Sequence, residues 1–289
     1  MTQRASAERR SLLAGLIGSG IQSSLTPSMH EQQGAAQGLR YVYRKIDLDP
    51  LRLGAEALPE LLTAAERMGF DGLNITFPCK QAVIPLLDEL SEDAAALGAV
   101  NTVVLHGGRR VGHNTDCTGF ETGFRRGLPD VRRDRVVLVG AGGAGSAVAH
   151  AAMKLGVGRL TILDVEPARA ERVATGVIAR FGAGRAVVGT DLAATLAGAD
   201  GLINATPIGM AKFPGSPVPA ELLRPDLWVA EVIYFPLDTQ LLRDAREAGC
   251  RTLGGGGMAV FQAVDAFRLI TGAEPSAERM LAHFAALVG

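Results

Sequence analysis

The chain has 289 residues, 47% of them apolar and 20% charged, with a net charge of −1. One hydrophobic core rarely grows beyond roughly 250 residues, so two domains are expected. The balanced charge contains no basic patch, which argues against nucleic-acid and membrane-surface roles, and no apolar run reaches the roughly 18 residues that cross a bilayer.

Cys79, Cys117 and Cys250 are widely spaced, with no C-x-x-C pair, and the five histidines also lack metal-ligand spacing. No metal site is therefore expected. The cysteines read as buried space-fillers in a reducing cytoplasm. Arg4, Arg9 and Arg10 before Leu12–Ile17 loosely imitate a secretion signal. The apolar stretch is short and no small-residue cleavage site follows, so it reads as the first buried strand.

In chain order, Leu12–Gly18 reads as a strand, Ser28–Gly38 as a helix after Pro27, and Tyr41–Asp47 as an alternating strand. Pro59–Met68 is helical and ends at Gly69. Gly72–Thr76 is a short buried strand, and Ala82–Leu97 reads as largely helical from near Pro85. Ala99–Leu105 and Arg110–Asn114 are strands joined at Gly107-Gly108. A second block follows: strand Arg135–Val139, helix Gly145–Leu155, strand Arg159–Leu163, helix Pro167–Arg180, strand Arg185–Val188, short helix Leu192–Ala197, and strands Gly201–Ala205 and Trp228–Ile233. Met258–Val288 is helical with a break near Pro275. Alternating strands and helices imply βαβ units and a mainly parallel sheet. Gly254–Gly257 reads as an interdomain hinge, with a second near Cys117.

Gly140, Gly142 and Gly145 form G-x-G-x-x-G between a strand and a helix, with a second strand following. The first glycine permits the tight turn, the second lets backbone approach a pyrophosphate, and the third lets helix and strand pack closely. The helix N-terminus adds bare N–H groups and a favourable dipole. Asp164 ends the next strand, where a carboxylate holds ribose hydroxyls and repels a 2′-phosphate. Glu166 adds negative charge nearby. NAD is therefore expected over NADP, with Arg169, one turn onward, as an adenine-stacking or phosphate-accepting group.

Lysine is scarce here; only Lys45, Lys80, Lys154 and Lys212 occur, among many arginines. An ammonium can shuttle a proton, whereas a guanidinium cannot near neutral pH. Lys80 follows Asn74-Ile75-Thr76-Phe77-Pro78-Cys79, a buried strand and proline turn. Asp116 follows the strand end at Asn114. Oxidising a secondary alcohol needs a proton removed from oxygen as hydride leaves carbon. Lys80 oriented by Asp116 suits that step. The bland alternative is a surface ion pair.

At these residues the chain resembles the shikimate dehydrogenase family over essentially its full length. The matching pieces are Ser24-Leu25-Thr26-Pro27 with His30, Asn74-Ile75-Thr76-x-Pro78-x-Lys80, Gly98-Ala99-Val100-Asn101-Thr102, Gly112-x-Asn114-Thr115-Asp116, and Gly140-Ala141-Gly142-Gly143-Ala144-Gly145. Further on come Asn204-Ala205-Thr206-Pro207-x-Gly209-Met210, Tyr234-x-Pro236-x-x-Thr239, and Gly257-Met258 with Gln262-Ala263. The resemblance implies a discontinuous N-terminal α/β substrate domain of residues 1–116 and 256–289, with a Rossmann dinucleotide-binding domain of residues 117–255 inserted and the C-terminal helices returning to the first domain. It implies reversible oxidation of the 3-hydroxyl of shikimate or quinate, with Lys80 and Asp116 catalytic. Ser24 and Thr26 would hold the substrate carboxylate, and Thr76, Asn101 and Gln262 the ring hydroxyls. Gly143, Ala144, Thr206, Pro207, Met210, Val232 and Gly255 would join the glycine turn in holding the cofactor.

Three positions depart from the family's usual pattern. Thr26 replaces a serine, Asp164-Val165-Glu166 replaces an Asn-Arg-Thr that reads NADP, and Glu231 replaces an aspartate. The first two resemble the NAD-dependent quinate/shikimate branch. The extra methyl of Thr26 would reshape the pocket at the carbon where quinate carries a hydroxyl. A biosynthetic NADP-dependent shikimate dehydrogenase, or an aminoshikimate variant, is the alternative within the family. A non-catalytic dinucleotide sensor is the alternative outside it, and it would not need Lys80 and Asp116 together. The expected partners are small molecules, in a monomer or homodimer.

Overall fold

The computed structural model describes residues 11–289, so Arg4, Arg9 and Arg10 lie outside the described residues. The chain divides into two compact units. The first holds the described residues up to Ser91 with Gly98–His113 and Ala263–Leu287. The second holds Glu92–Leu97, Asn114–Gln262 and Val288–Gly289.

The first unit is built on six strands: β1 (Ser11–Gly18), β2 (Arg40–Asp47), β3 (Gly72–Ile75), β4 (Glu89–Leu90), β5 (Thr102–His106) and β6 (Arg109–His113). Their order is β2-β1-β3-β5-β6-β4. β1 runs parallel to β2 and β3, and β5 is antiparallel to β3 and β6. β4 is parallel to β6, so the sheet is parallel-rich as expected, with β5 as its one antiparallel strand. Gly107 and Gly108, at φ 59° and 75°, form the two-residue turn that folds β6 back on β5. β1 is buried almost throughout, as befits a central parallel strand covered on both faces. Its Leu12, Ala14 and Leu16 join Tyr41, Tyr43, Phe267 and Ile270 in one core.

The expected helix over Ala82–Leu97 is not formed. The segment holds a helical turn at Cys79–Ala82, a 3-10 turn at Ile84–Leu86, then β4, then a helix at Glu92–Leu97. Pro85 has no amide to continue an α ladder. The amides of Asp88 and Ser91 instead donate to Arg110 and Gly112 carbonyls on β6. Gly112 makes room for this, since a Cβ there would lie 2.6 Å from Leu87 and 2.9 Å from Leu90.

The second unit is a wholly parallel sheet of β7 (Arg135–Val139), β8 (Arg159–Leu163), β9 (Ala186–Val188), β10 (Gly201–Asn204), β11 (Trp228–Glu231) and β12 (Arg251–Leu253). The order β12-β11-β10-β7-β8-β9 is that of the doubly wound dinucleotide fold. It places the reversal of direction between β7 and β10, at whose C-terminal ends the glycine turn and Thr206 lie. Separate apolar cores cover its faces.

Among the elements not expected are the helices Thr115–Gly127 and Gln240–Glu247, and β12. Asn114 caps the first, its Oδ1 accepting from the Cys117 amide at 3.2 Å. Gly119 and Gly123 weaken its helical signature. Gly119 is needed for close packing, because a Cβ there would lie 2.7 Å from the Gln262 nitrogen. Cys117 therefore lies inside a helix, and Gly256 and Gly257 open the helix Gly256–Thr271. Neither expected hinge is an irregular segment throughout.

Candidate active site

In the first unit the proline motif is fixed by backbone hydrogen bonds at the end of the sheet. The Thr76 amide donates to Ile17, Cys79 to Thr76, and Ser19 to Phe77. Lys80 is half-buried, on the helical turn that follows. Its carbonyl accepts from the Val100 amide at 2.8 Å, while Ile75 donates to the Asn101 carbonyl at 2.8 Å. Thr76, Lys80 and Asn101 are thus brought together through their backbones. Asn101 is 4% exposed, and its Oδ1 accepts from the Thr102 hydroxyl at 3.1 Å.

Ser24 and Thr26 also lie together. The Ser24 hydroxyl donates to Thr26 Oγ1 at 3.3 Å and accepts from the Thr26 amide at 3.4 Å. The loop before them is clasped by Asp47, which accepts from the amides of Gly20, Ile21 and Asp49 and from Gln22 Nε2. Burial alone would raise the Asp47 carboxyl, but the hydrogen bonds from Gln22 and the three amides hold it below its ordinary value.

In the second unit the glycine turn fits a dinucleotide pyrophosphate. Gly140 adopts φ 97° and passes so close to Ala205 that a Cβ would lie 2.7 Å from its carbonyl. A Cβ on Gly145 would lie 2.1 Å from the Gly140 oxygen, so helix and turn touch by backbone. Gly142 and Gly143 have nothing within 4 Å of an added Cβ, which leaves open space above the turn. The helix Gly143–Lys154 has no side-chain cap and no acid in its first turn, so its leading amides face that space uncompensated.

Asp164 has a second task that its position after β8 did not reveal. Its Oδ2 accepts from the Ala141 amide at 2.7 Å and its Oδ1 from the Glu166 amide at 2.9 Å. The carboxylate therefore anchors the glycine turn while keeping lone pairs for ribose hydroxyls. Arg169 pairs with Glu166 at 2.7 Å, and Val165 is 95% exposed.

Across the switch point, the Thr206 amide and hydroxyl both donate to Asn204 Oδ1. Asn204 donates in turn to Glu231, which is buried and also accepts from Val232, Ile233 and Thr239. Burial raises the Glu231 carboxyl, and the hydrogen bonds from Asn204, Ile233, Thr239 and Val232 oppose that shift only in part. The longer side chain at this departure from the family pattern is thus fully hydrogen-bonded. Gly255 backs the same corner, where a Cβ would lie 2.3 Å from the Val232 carbonyl. Pro207 and Met210 lie exposed on the loop after Thr206, whose Gly209 adopts φ 119°.

Asp116 sits in the first turn of the helix Thr115–Gly127, three residues before Gly119 and hence on the face that meets Gln262. Gln262 Nε2 donates to Ala259 within its own helix. Burial and then the Asp116 charge raise the Tyr234 phenol above its ordinary value. Lys80 and Asp116 belong to different units. Among the described residues, Asp93, Cys117 and His150 offer donor atoms within 4.8 Å of one another, but Lys154 Nζ already lies 3.0 Å from Asp93.

Known proteins resemble this chain over nearly its whole length. A family model described as the shikimate dehydrogenase substrate binding domain matches residues 16–103. A ThiF family model matches residues 118–180, the stretch that contains the glycine turn. A protein of Streptomyces avermitilis named shikimate dehydrogenase (NADP(+)) is 60% identical, covering 96% of this chain and 97% of its own. A quinate/shikimate dehydrogenase (NAD(+)) of Corynebacterium efficiens is 53% identical, covering 96% and 99%. The solved quinate dehydrogenase of Corynebacterium glutamicum in complex with NAD is 48% identical and superposes with a TM-score of 0.93, covering 96% and 100%.

Proposed function

Since the chain belongs to the shikimate dehydrogenase family, we propose that it is an oxidoreductase that reversibly converts the 3-hydroxyl of quinate and shikimate to a ketone with NAD. The observation that carries the choice of NAD is the acidic end of β8. Asp164 braces the glycine turn, and Glu166 beside it pairs with Arg169. Two carboxylates there repel a 2′-phosphate.

A bound nicotinamide cofactor would supply the hydride acceptor for the substrate carbon. Lys80, as its neutral amine, would take the hydroxyl proton to become an ammonium and would return that proton in the reverse direction, with Asp116 as its acidic partner in the proton step. Ser24 and Thr26 hold the carboxylate as neutral donors, and Thr76, Asn101 and Gln262 hold ring hydroxyls. Gly140, Gly142, Gly143, Ala144 and Gly145 receive the pyrophosphate, while Thr206, Pro207, Met210, Val232 and Gly255 border the nicotinamide side. Residues 1–116 with 256–289 serve the substrate and residues 117–255 the cofactor. Three buried cysteines outside disulfides suit a reducing cytoplasm.

NADP-dependent shikimate oxidation is the second reading, favoured by the cofactor named for the Streptomyces relative and by the half-exposed Arg169 guanidinium. Steady-state kinetics with two substrates against two cofactors decides. The expected result is turnover of both quinate and shikimate, with NAD preferred at least about tenfold, a gap of about 1.4 kcal/mol. Preference for NADP would overturn the role of Asp164, and absence of quinate oxidation would overturn the role of Thr26.

A further inference from the structure

Asn101 stands at the end of a buried hydrogen-bond chain that crosses the first sheet. The members are Tyr43 on β2, Asn74 on β3, and Thr102 on β5, and each is at most 4% exposed. Asn74 and Thr102 are direct partners across the β3–β5 ladder.

The polarity of this chain is fixed by its first acceptor. The Asn101 carbonyl can only accept, and it lies 3.2 Å from one end of the Asn74 amide, so that end is the nitrogen. The same nitrogen donates to Thr102 Oγ1 at 2.9 Å. Asn74 Oδ1 therefore faces the Tyr43 hydroxyl, 2.7 Å away, and the phenol is the donor. Burial pushes that phenol well above its ordinary range, so it keeps its proton. Thr102 Oγ1 accepts from Asn74 and its hydroxyl donates to Asn101 Oδ1 at 3.1 Å. Every link donates in one direction, and the last one engages the oxygen of the Asn101 amide rather than its nitrogen.

We propose that Tyr43, Asn74 and Thr102 are positioning residues that orient the Asn101 amide nitrogen as a donor toward one ring position of the substrate, selecting an oxygen there over an ammonium. The proposal rests on the reading that Asn101 contacts the substrate ring. A hydroxyl can accept from the Asn101 nitrogen, whereas an ammonium has only donors to offer and meets a donor. Reversing the amide would reverse that preference, and the chain back to Tyr43 is what prevents the reversal.

The test compares wild-type protein with Tyr43→Phe, Thr102→Val and Thr102→Ser on shikimate and on a panel of shikimates, each with one ring hydroxyl replaced by an amino group. The side-chain amide resonances of Asn101 are followed by 15N NMR in the same proteins. Wild type should discriminate by roughly 100-fold against one panel member. Tyr43→Phe should erode that discrimination by about tenfold, through KM for the ring compound and not for the dinucleotide, and should shift the Asn101 amide signals. Thr102→Ser should retain discrimination, and Thr102→Val should lose it. A Tyr43→Phe protein with a lower Tm but unchanged discrimination and unchanged Asn101 signals would overturn the proposal, because a merely structural role predicts that outcome. If wild type turns over neither shikimate nor quinate, the functional reading fails instead, and the Asn101 resonances still decide whether the chain orients the amide.

Discussion

The Arg169 guanidinium lies 2.7 Å from the Glu166 carboxylate, one turn beyond the acid that braces the glycine turn. Both side chains are about half exposed, so the pair itself is worth less than about 1 kcal/mol. Its importance is the sign of the charge beside the ribose. Glu166→Gln should raise kcat/KM with NADP by roughly three- to tenfold and leave the NAD value within about twofold. An unchanged cofactor ratio would show that Arg169 does not reach a 2′-phosphate.

Two neighbouring glycines should fail in different ways. Gly145→Ala forces a Cβ against the Gly140 oxygen and should cost about 1–3 kcal/mol, seen as a Tm lower by several degrees. Gly142→Ala meets nothing in the protein, so its Tm should hold. Its methyl would occupy the open space above the turn, and NAD affinity should fall at least tenfold by calorimetry. Equal Tm losses in the two variants would contradict this division.

Lys80→Met removes the ammonium while preserving the length of the stem. The expected outcome is a kcat lower by roughly 10²–10⁴, with NAD binding unaltered. Retained turnover would remove Lys80 from the proton step.

Thr26→Ser deletes one methyl beside Ser24. Competition assays should show the ratio of quinate to shikimate specificity falling by about tenfold, the scale on which one methyl is read by a pocket. A ratio that does not move would separate Thr26 from substrate choice.

Asp47 supplies a pH signature. Its folded carboxyl is held below the ordinary value of 3.8, so its stabilising effect is present above that pH and is lost as pH falls through the lower folded value. Thermal melts between pH 2.5 and 7 should show that loss in wild type. Asp47→Asn should melt lower at pH 7, show a shallower acid limb, and bind substrate more weakly because the loop leading to Ser24 is no longer clasped. An acid limb identical to wild type would remove Asp47 from this account.

The parts of the fold that were legible in the sequence are those set by local rules. The glycine turn, its flanking β7 and helix, and the acid ending β8 follow from spacing and backbone freedom alone. The helix at Thr115–Gly127 was not legible, because Gly119 and Gly123 weaken its helical signature, and Gly119 is required by a close approach to Gln262. β4 and β12 were hidden for another reason: two- and three-residue strands carry no period, and only pairing with β6 and β11 makes them strands. The same holds within the site. Ser24 beside Thr26 is a local fact. Tyr43 acting on Asn74, and Asp164 reaching back to Ala141, join residues 31 and 23 apart and required the sheets to be assembled.

Phe267 stacks on Tyr41 at 5.5 Å and Ile270 fills the same core, so the first sheet is closed by side chains from the far end of the chain. A nascent polypeptide emerging from the ribosome must therefore hold its opening strands unfinished while the later parallel sheet is synthesised. Synthesis runs from one end, but completion runs the other way. A premature stop codon just before Phe267 would leave Leu12 and Tyr41 without their cover, a product suited to proteolytic clearance rather than to partial function.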